Sequence, residues 1–166
     1  MGMSEYVRMI RGKVGTTLLQ MPSVTIIHRN EEGQVLLVKN ADTDLWTGPG
    51  GAIEPGETPA DAAVREMWEE TGLLIEPVRI LGVYGGPEYV IHYSNGDRTS
   101  YVVTVFEGRQ TGGSLGPRDD ESTDIGYFSR EQIAQLDAQP WLYEVVPDLF
   151  GNADTAAFKR AKRRPR

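Results

Sequence analysis

The 166-residue chain contains no cysteine, which removes disulfides, thiolate metal sites and cysteine nucleophiles together and fits a reducing cytoplasm. It also lacks long apolar runs. The amino-terminal stretch MGMSEYVRMIRGKVG has no signal-like apolar core, and no segment approaches the roughly 20 apolar residues of a membrane span. A cytoplasmic protein without membrane association is the expectation. Positive charge is scarce too: 17 basic against 24 acidic residues give a net charge of −7, which argues against the phosphate-neutralising surface of a dedicated nucleic-acid binder. The basic residues that exist are unevenly placed, with six of the last nine positions, FKRAKRRPR, being Lys or Arg. Such a tail can touch nucleic acid, an anionic membrane or an acidic partner, or simply remain solvated.

No repeat, low-complexity tract or long linker interrupts the chain, so one domain over residues 1–157 with a basic tail at 158–166 is expected. PSVTIIHR and QVLLVKN are apolar, β-branched runs around NEEGQ and read as an antiparallel pair joined by a turn. Further on, Asn95-Gly96 between alternating runs is a strong hairpin signal, because both residues suit positive φ. IGYF reads as a strand, SREQIAQL as a helix with capping-box spacing at Ser129 and Gln132, and the segment from Pro140 as one or two more helices. Paired strands with helices inserted between them indicate an α+β fold with a mixed sheet rather than strict βαβ alternation.

The chemistry concentrates in GGAIEPGETPADAAVREMWEETGLL, residues 50–74. Thr58, Pro59 and Asp61 form a helix start and Gly72 a left-handed stop, which predicts a helix over 59–71. Ala60, Ala63, Val64 and Met67 have the spacing of a buried stripe. Glu66, Glu69 and Glu70 stand at i, i+3 and i+4, where like charges repel, and near a helix C-terminus, where the macrodipole disfavours them. Arg65 can pair with Glu69, but one cation does not offset three anions. An all-oxygen set of this kind suits Mg²⁺ or Mn²⁺ better than zinc, and the glycines before the helix allow a main-chain carbonyl to join it. The competing reading is a solvated acidic face. A hard cation with open positions would favour attack of water on a phosphoanhydride.

Read onward from Gly51, five residues lead to Glu57 and seven more to Arg65-Glu66, followed by Met67, Trp68, Glu69-Glu70, Thr71, Gly72 and Leu73. This resembles the Nudix box, G-x5-E-x7-R-E-U-x-E-E-x-G-U with U apolar, at every defined position, a coincidence expected on the order of once in 10⁹ start positions at ordinary composition. The likeness extends over roughly residues 20 to 137, although Gly48 stands where a larger apolar residue is commoner, which predicts a looser loop. The resemblance implies a Nudix fold, a mixed β-sheet sandwiched between α-helices, and hydrolysis of a nucleoside diphosphate linked to another moiety with Mg²⁺ or Mn²⁺. It further implies that Glu66, Glu69 and Glu70 are metal ligands, that Gly50 or Gly51 supplies a carbonyl ligand, and that Glu57 and Arg65 orient the loop against the helix. The general base belongs on the box helix or in a later acidic loop, where Asp119, Asp120, Glu121 and Asp124 are available and Glu121 and Asp124 are preferred.

Substrate signals are thinner. Pro87 lies near a proline associated with ADP-ribose hydrolysis in the family, and Tyr89 near a tyrosine associated with dinucleoside polyphosphates. Trp46, Tyr84, Tyr89 and Tyr93 could stack on a base, with Trp46 and Tyr89 the named candidates for substrate binding. ADP-ribose or a related nucleotide is the first expectation. Nucleoside triphosphates, dinucleoside polyphosphates, triphosphorylated RNA 5′ ends and a non-catalytic nucleotide sensor are the alternatives. The chain is expected to act as a monomer or homodimer.

Overall fold

The computed structural model describes residues 4–118, 120–151 and 154–161. In chain order the elements are α1 (Glu5–Val14), β1 (Leu19–His28), β2 (Val35–Asn40), β3 (Trp46–Thr47), β4 (Gly50–Ala52), α2 (Pro59–Thr71) and β5 (Leu73–Tyr84). A 3-10 turn at Pro87–Tyr89 follows, then β6 (Val90–His92), β7 (Arg98–Gly113), β8 (Ser122–Phe128), α3 (Arg130–Ile133), α4 (Pro140–Leu149) and β9 (Ala157–Phe158). One sheet runs β4-β1-β7-β5-β9 with β6 also paired to β7, and a smaller sheet runs β3-β2-β8. The fold is thus α+β with a mixed sheet, β1 lying parallel to β7 from Leu19 opposite Thr99 to His28 opposite Gly108.

The first two apolar runs do not form the expected hairpin. The turn is there: Asn30 and Gln34 exchange backbone and side-chain hydrogen bonds, and Gly33 takes a φ of 75°. The strands then diverge, joined only by a bridge between Arg29 and Val35, because both edges of β1 are taken by β4 and β7 and both edges of β2 by β3 and β8. Continuous rather than alternating hydrophobicity has the same origin. In β1, Val24 and Ile26 enter one core cluster and Ile27 the other; in β2, Leu36 enters the first and Val35 and Leu37 the second. Each strand is therefore covered on both faces.

Helix α2 begins and ends where the sequence places it. Thr58 Oγ1 accepts from Asp61 N, the Asp61 carboxylate accepts from Thr58 N, and Gly72 closes the helix in the left-handed region with φ 72°. Its buried face is rotated from the expected stripe: Ala60 is exposed, Val64 is half-buried, and Ala62, Ala63, Glu66, Met67 and Glu70 are buried. Two small alanines let α2 lie close on the sheet, where fully burying Met67 contributes about 1.5–3 kcal/mol. This rotation turns two of the three glutamates inward.

The carboxyl-terminal region holds one helix, within the expected one or two, followed by a short strand. Ala157 and Phe158 run parallel beside Gly82 and Val83 of β5, so the expected boundary at 157/158 falls inside a strand. Lys159 then pairs with Glu144 at 2.6 Å and Glu88 at 3.3 Å; residues 162–166 of the tail lie outside the described residues. The amino terminus carries helix α1, for which no element was expected. No helix among the described residues is long and apolar enough to cross a membrane.

Candidate active site

Arg65 answers part of the question posed by the crowded glutamates. Its Nε donates to Glu57 Oε1 at 2.7 Å and its Nη2 to Glu57 Oε2 at 3.0 Å, a two-pronged pairing across the loop. Nη1 reaches Glu66 Oε1 at 2.7 Å and Glu69 Oε2 at 3.2 Å, and Nη2 also donates to the Ala52 carbonyl at 3.1 Å. Only a planar guanidinium can satisfy this many acceptors at once. The hydrogen bond from Arg65 holds the Glu57 carboxyl below the usual carboxylate range, and these partners keep Arg65 firmly protonated. The third box glutamate is held differently: Glu70 Oε2 accepts from Gly50 N at 2.8 Å.

Glu66 is the strained member of the set. Burial pushes its pKa up to about 7, with Arg65 opposing the shift and the neighbouring charges of Glu69 and Glu121 adding to it. The same carboxylate lies over Gly51, where an added Cβ would stand 2.4 Å from Glu66 Oε1. Gly50 is equally committed: at φ 154° a Cβ there would meet the Val24 carbonyl oxygen at 2.2 Å. Gly48 does not loosen the loop. It is buried, and a Cβ on it would lie 2.7 Å from Thr25 Cγ2 and 3.7 Å from the Trp141 ring, so neighbouring side chains fill the space a larger residue would take.

The end of α2 is secured from outside. Ser114, Gly116 and Arg118 donate their backbone N–H groups to the carbonyls of Gly72, Thr71 and Glu69 at 3.2, 2.8 and 2.7 Å. These are acceptors that a helix terminus leaves unpaired. The Arg118 guanidinium lies 4.7 Å from the centre of the Trp68 ring, placing a cation near the negative end of the helix. The same loop leads into the acidic run, and Asp120 and Glu121 face the cleft.

That cleft, of about 840 Å³, is lined by Gly50, Gly51, Glu57, Arg65, Glu66, Glu69 and Glu70 on one side. Across β1 from β4, the lining continues with Thr99 and Tyr101 of β7, together with Arg11 of α1, Tyr93 and Asp97. Glu121 thus joins the box residues. Asp124 does not: it is exposed on β8, where its Oδ1 accepts from Ile125 N at 2.8 Å, and it does not line the cleft. Asp119 lies outside the described residues. Trp46 is also absent from the lining, because its ring packs edge-on against Phe128 at 4.7 Å and its strand pairs with Lys39 of β2. Tyr89 borders the cleft but is only 2% exposed. It is stacked with Tyr84 at 6.3 Å and tilted against Trp141 at 6.3 Å, so its ring serves as core packing.

Sequence reasoning missed this second part of the lining. Arg11 is 8% exposed; it donates to the carbonyls of Thr17 and Arg98 and to Thr99 Oγ1, each at 2.8 Å, and stands 3.6 Å from Asp97. Tyr93 and Tyr101 share a hydrogen bond between their hydroxyls at 2.8 Å, and burial raises the pKa of both. One signal for α1 was present: Ser4 caps the helix through Val7 N, and Gly15 ends it.

Among the described residues no three His, Asp or Glu side chains are gathered as a ready-made cation cage; Arg65 and Gly50 N hold the carboxylates. The donor set nevertheless fits a hard divalent cation. All its members are oxygens, they occupy two adjacent turns of one helix, and Gly50 and Gly51, where a Cβ would crowd the Val24 carbonyl and the Glu66 carboxylate, lie beside them.

The NUDIX domain profile matches residues 19–149 of the chain. A MutT-like protein of Streptomyces ambofaciens is 30% identical over 133 residues, covering 80% of this chain and 79% of its own. A putative 8-oxo-dGTP diphosphatase of Bacillus subtilis is 47% identical over 64 residues, 39% of this chain and 43% of that one. Among solved structures, the MutT protein from Methanosarcina mazei Go1 superimposes with a TM-score of 0.68 at 22% identity, covering 80% of this chain and 94% of that one, a likeness that bears on the fold. A profile match over most of the chain and a relative aligned along most of both sequences agree with the glutamate geometry, and this chain belongs to the Nudix hydrolase family.

Proposed function

We propose that the chain hydrolyses a phosphoanhydride bond in a nucleoside diphosphate linked to another moiety, with ADP-ribose or a related nucleotide as the first substrate class. The observation that carries this reading is the position of Glu66, Glu69 and Glu70 beside Gly50 and Gly51 at one side of a cleft of about 840 Å³. That volume lies in the upper part of the usual range for ligand sites and leaves room beyond a mononucleotide for a second group. Glu66, Glu69, Glu70 and a carbonyl of Gly50 or Gly51 are the residues to hold Mg²⁺ or Mn²⁺. When bound, the cation neutralises phosphate oxygens and makes water a better nucleophile.

The chain's own groups set the rest. Arg65 ties Glu57, Glu66 and Glu69 into one rigid unit, and Gly50 N fixes Glu70, so the donors do not have to be ordered on each turnover. Glu121 is the proposed base. It faces the cleft close enough to Glu66 for their charges to interact, and it must come within hydrogen-bonding reach of the attacking water once substrate is bound.

Nucleoside triphosphates are the second reading, favoured by the name of the Bacillus relative, whose match centres on part of the chain only. Hydrolysis of ADP-ribose, nucleotide sugars, dinucleoside polyphosphates, nucleoside triphosphates and triphosphorylated RNA with Mg²⁺ or Mn²⁺, compared between wild type and Glu70→Gln, decides between them. Turnover of one class that collapses in the variant supports the assignment. Binding without turnover of any class would make the chain a nucleotide sensor.

A further inference from the structure

We infer that α1 is a wall of the substrate cleft and packs against the bound nucleotide. This rests on the proposed hydrolysis and goes beyond it, because α1 precedes residue 19, where the family match begins.

Three side chains of α1, Ser4, Val7 and Arg11, line the same cleft as the box glutamates. The helix is held there from within the cleft wall. Arg11 donates to the carbonyls of Gly15 and Thr17, just past its own helix, and crosses to Arg98 O and Thr99 Oγ1 of β7 and to Asp97 beside it. A guanidinium with one face of its contacts on α1 and the other on β7 cannot let go of one without leaving a buried charge unpaired, which is costly. Thr16, just past the helix, lies 3.7 Å from where a Cβ on Gly96 would stand, at the tip of the β6–β7 hairpin. The opposite face of α1 carries Tyr6 and Met9, 42% and 49% exposed, so the helix has an inner face committed to the cleft and an outer face that is not.

A wall of this kind makes a prediction that simple packing does not. Enlarging its inner face should obstruct ligand, and altering its outer face should not. Val7→Phe adds bulk inside the cleft, and Met9→Gln changes the outer face. Calorimetric titration with the non-hydrolysable α,β-methylene analogues of ADP and GTP in Mg²⁺ is expected to show ~10-fold weaker binding to Val7→Phe, with the melting temperature of wild type retained. Met9→Gln is expected to bind as wild type. Unaltered affinity in Val7→Phe would overturn the wall even where wild-type hydrolysis is intact. Binding of neither analogue to wild type would overturn it together with the proposed activity.

Discussion

The two sides of the cleft are built in opposite ways. The glutamate side comes almost entirely from residues 50–70 and is braced by local contacts: a capping box, one arginine and two glycines. The side beyond β1 is assembled from α1, the 3-10 turn, β6 and β7, and its key contact joins Arg11 to Thr99 across 88 positions of sequence. A reaction centre that demands fixed spacing can be written into one helix and its preceding loop. Recognition needs surfaces from several directions and is written across the chain.

The contrast can be broken first at the glutamates. Glu70→Gln and Glu66→Gln should each lower kcat by at least ~10²-fold, measured as initial rates on whichever nucleotide class is turned over, with little change in secondary structure by circular dichroism. Gly51→Ala should cost ~10²-fold as well, because its Cβ would displace the Glu66 carboxylate. A variant that kept wild-type kcat would show that this carboxylate is free to move without consequence. Arg65→Lys should lower kcat by roughly 10-fold or more, since an ammonium cannot hold Glu57, Glu66 and Glu69 together.

Smaller effects sharpen the comparison. Arg118→Ala removes a cation from the Trp68 face and should destabilise the chain by about 0.5–1 kcal/mol in a denaturant titration, with a modest fall in kcat. Thr58→Ala deletes the helix cap at the end of α2 remote from Glu70. It should lower stability by about 1 kcal/mol, or ~2–4 °C in melting temperature, and leave kcat/KM unaltered. Equal losses of activity in these two variants would mean that α2 transmits strain along its whole length.

The same contrast explains what the sequence disclosed. Thr58, Pro59, Asp61 and Gly72 mark both ends of α2 because caps are local chemistry, and the structure places the helix within the expected limits. The box glutamates are found together beside the glycine loop for the same reason. The buried face was misjudged by one position: hydrophobicity alone favours Ala60 and Val64, whereas the charge network draws Glu66 and Glu70 inward. The β1–β2 hairpin failed because pairing is decided by which edges remain available, and strand β7, eighty positions away, takes one of them. Trp46 and Tyr89 illustrate a related limit. An aromatic residue has no sequence mark that separates a stacking surface from a packed ring, and here Phe128, Tyr84 and Trp141 cover them. Arg11 had no motif at all, and the cap at Ser4 and the stop at Gly15 were the marks of the helix that carries it.

The parallel pairing of β1 with β7 also bears on how the molecule comes into being. During synthesis helix α2 is complete long before residues 99–108 emerge, yet β1 must wait for them to gain its inner neighbour. Closing a pair across that separation has a high entropic barrier, so assembly of the cleft is a late event. Newly made chains should therefore pass through a stage in which the glutamate helix exists and the nucleotide has nowhere to sit.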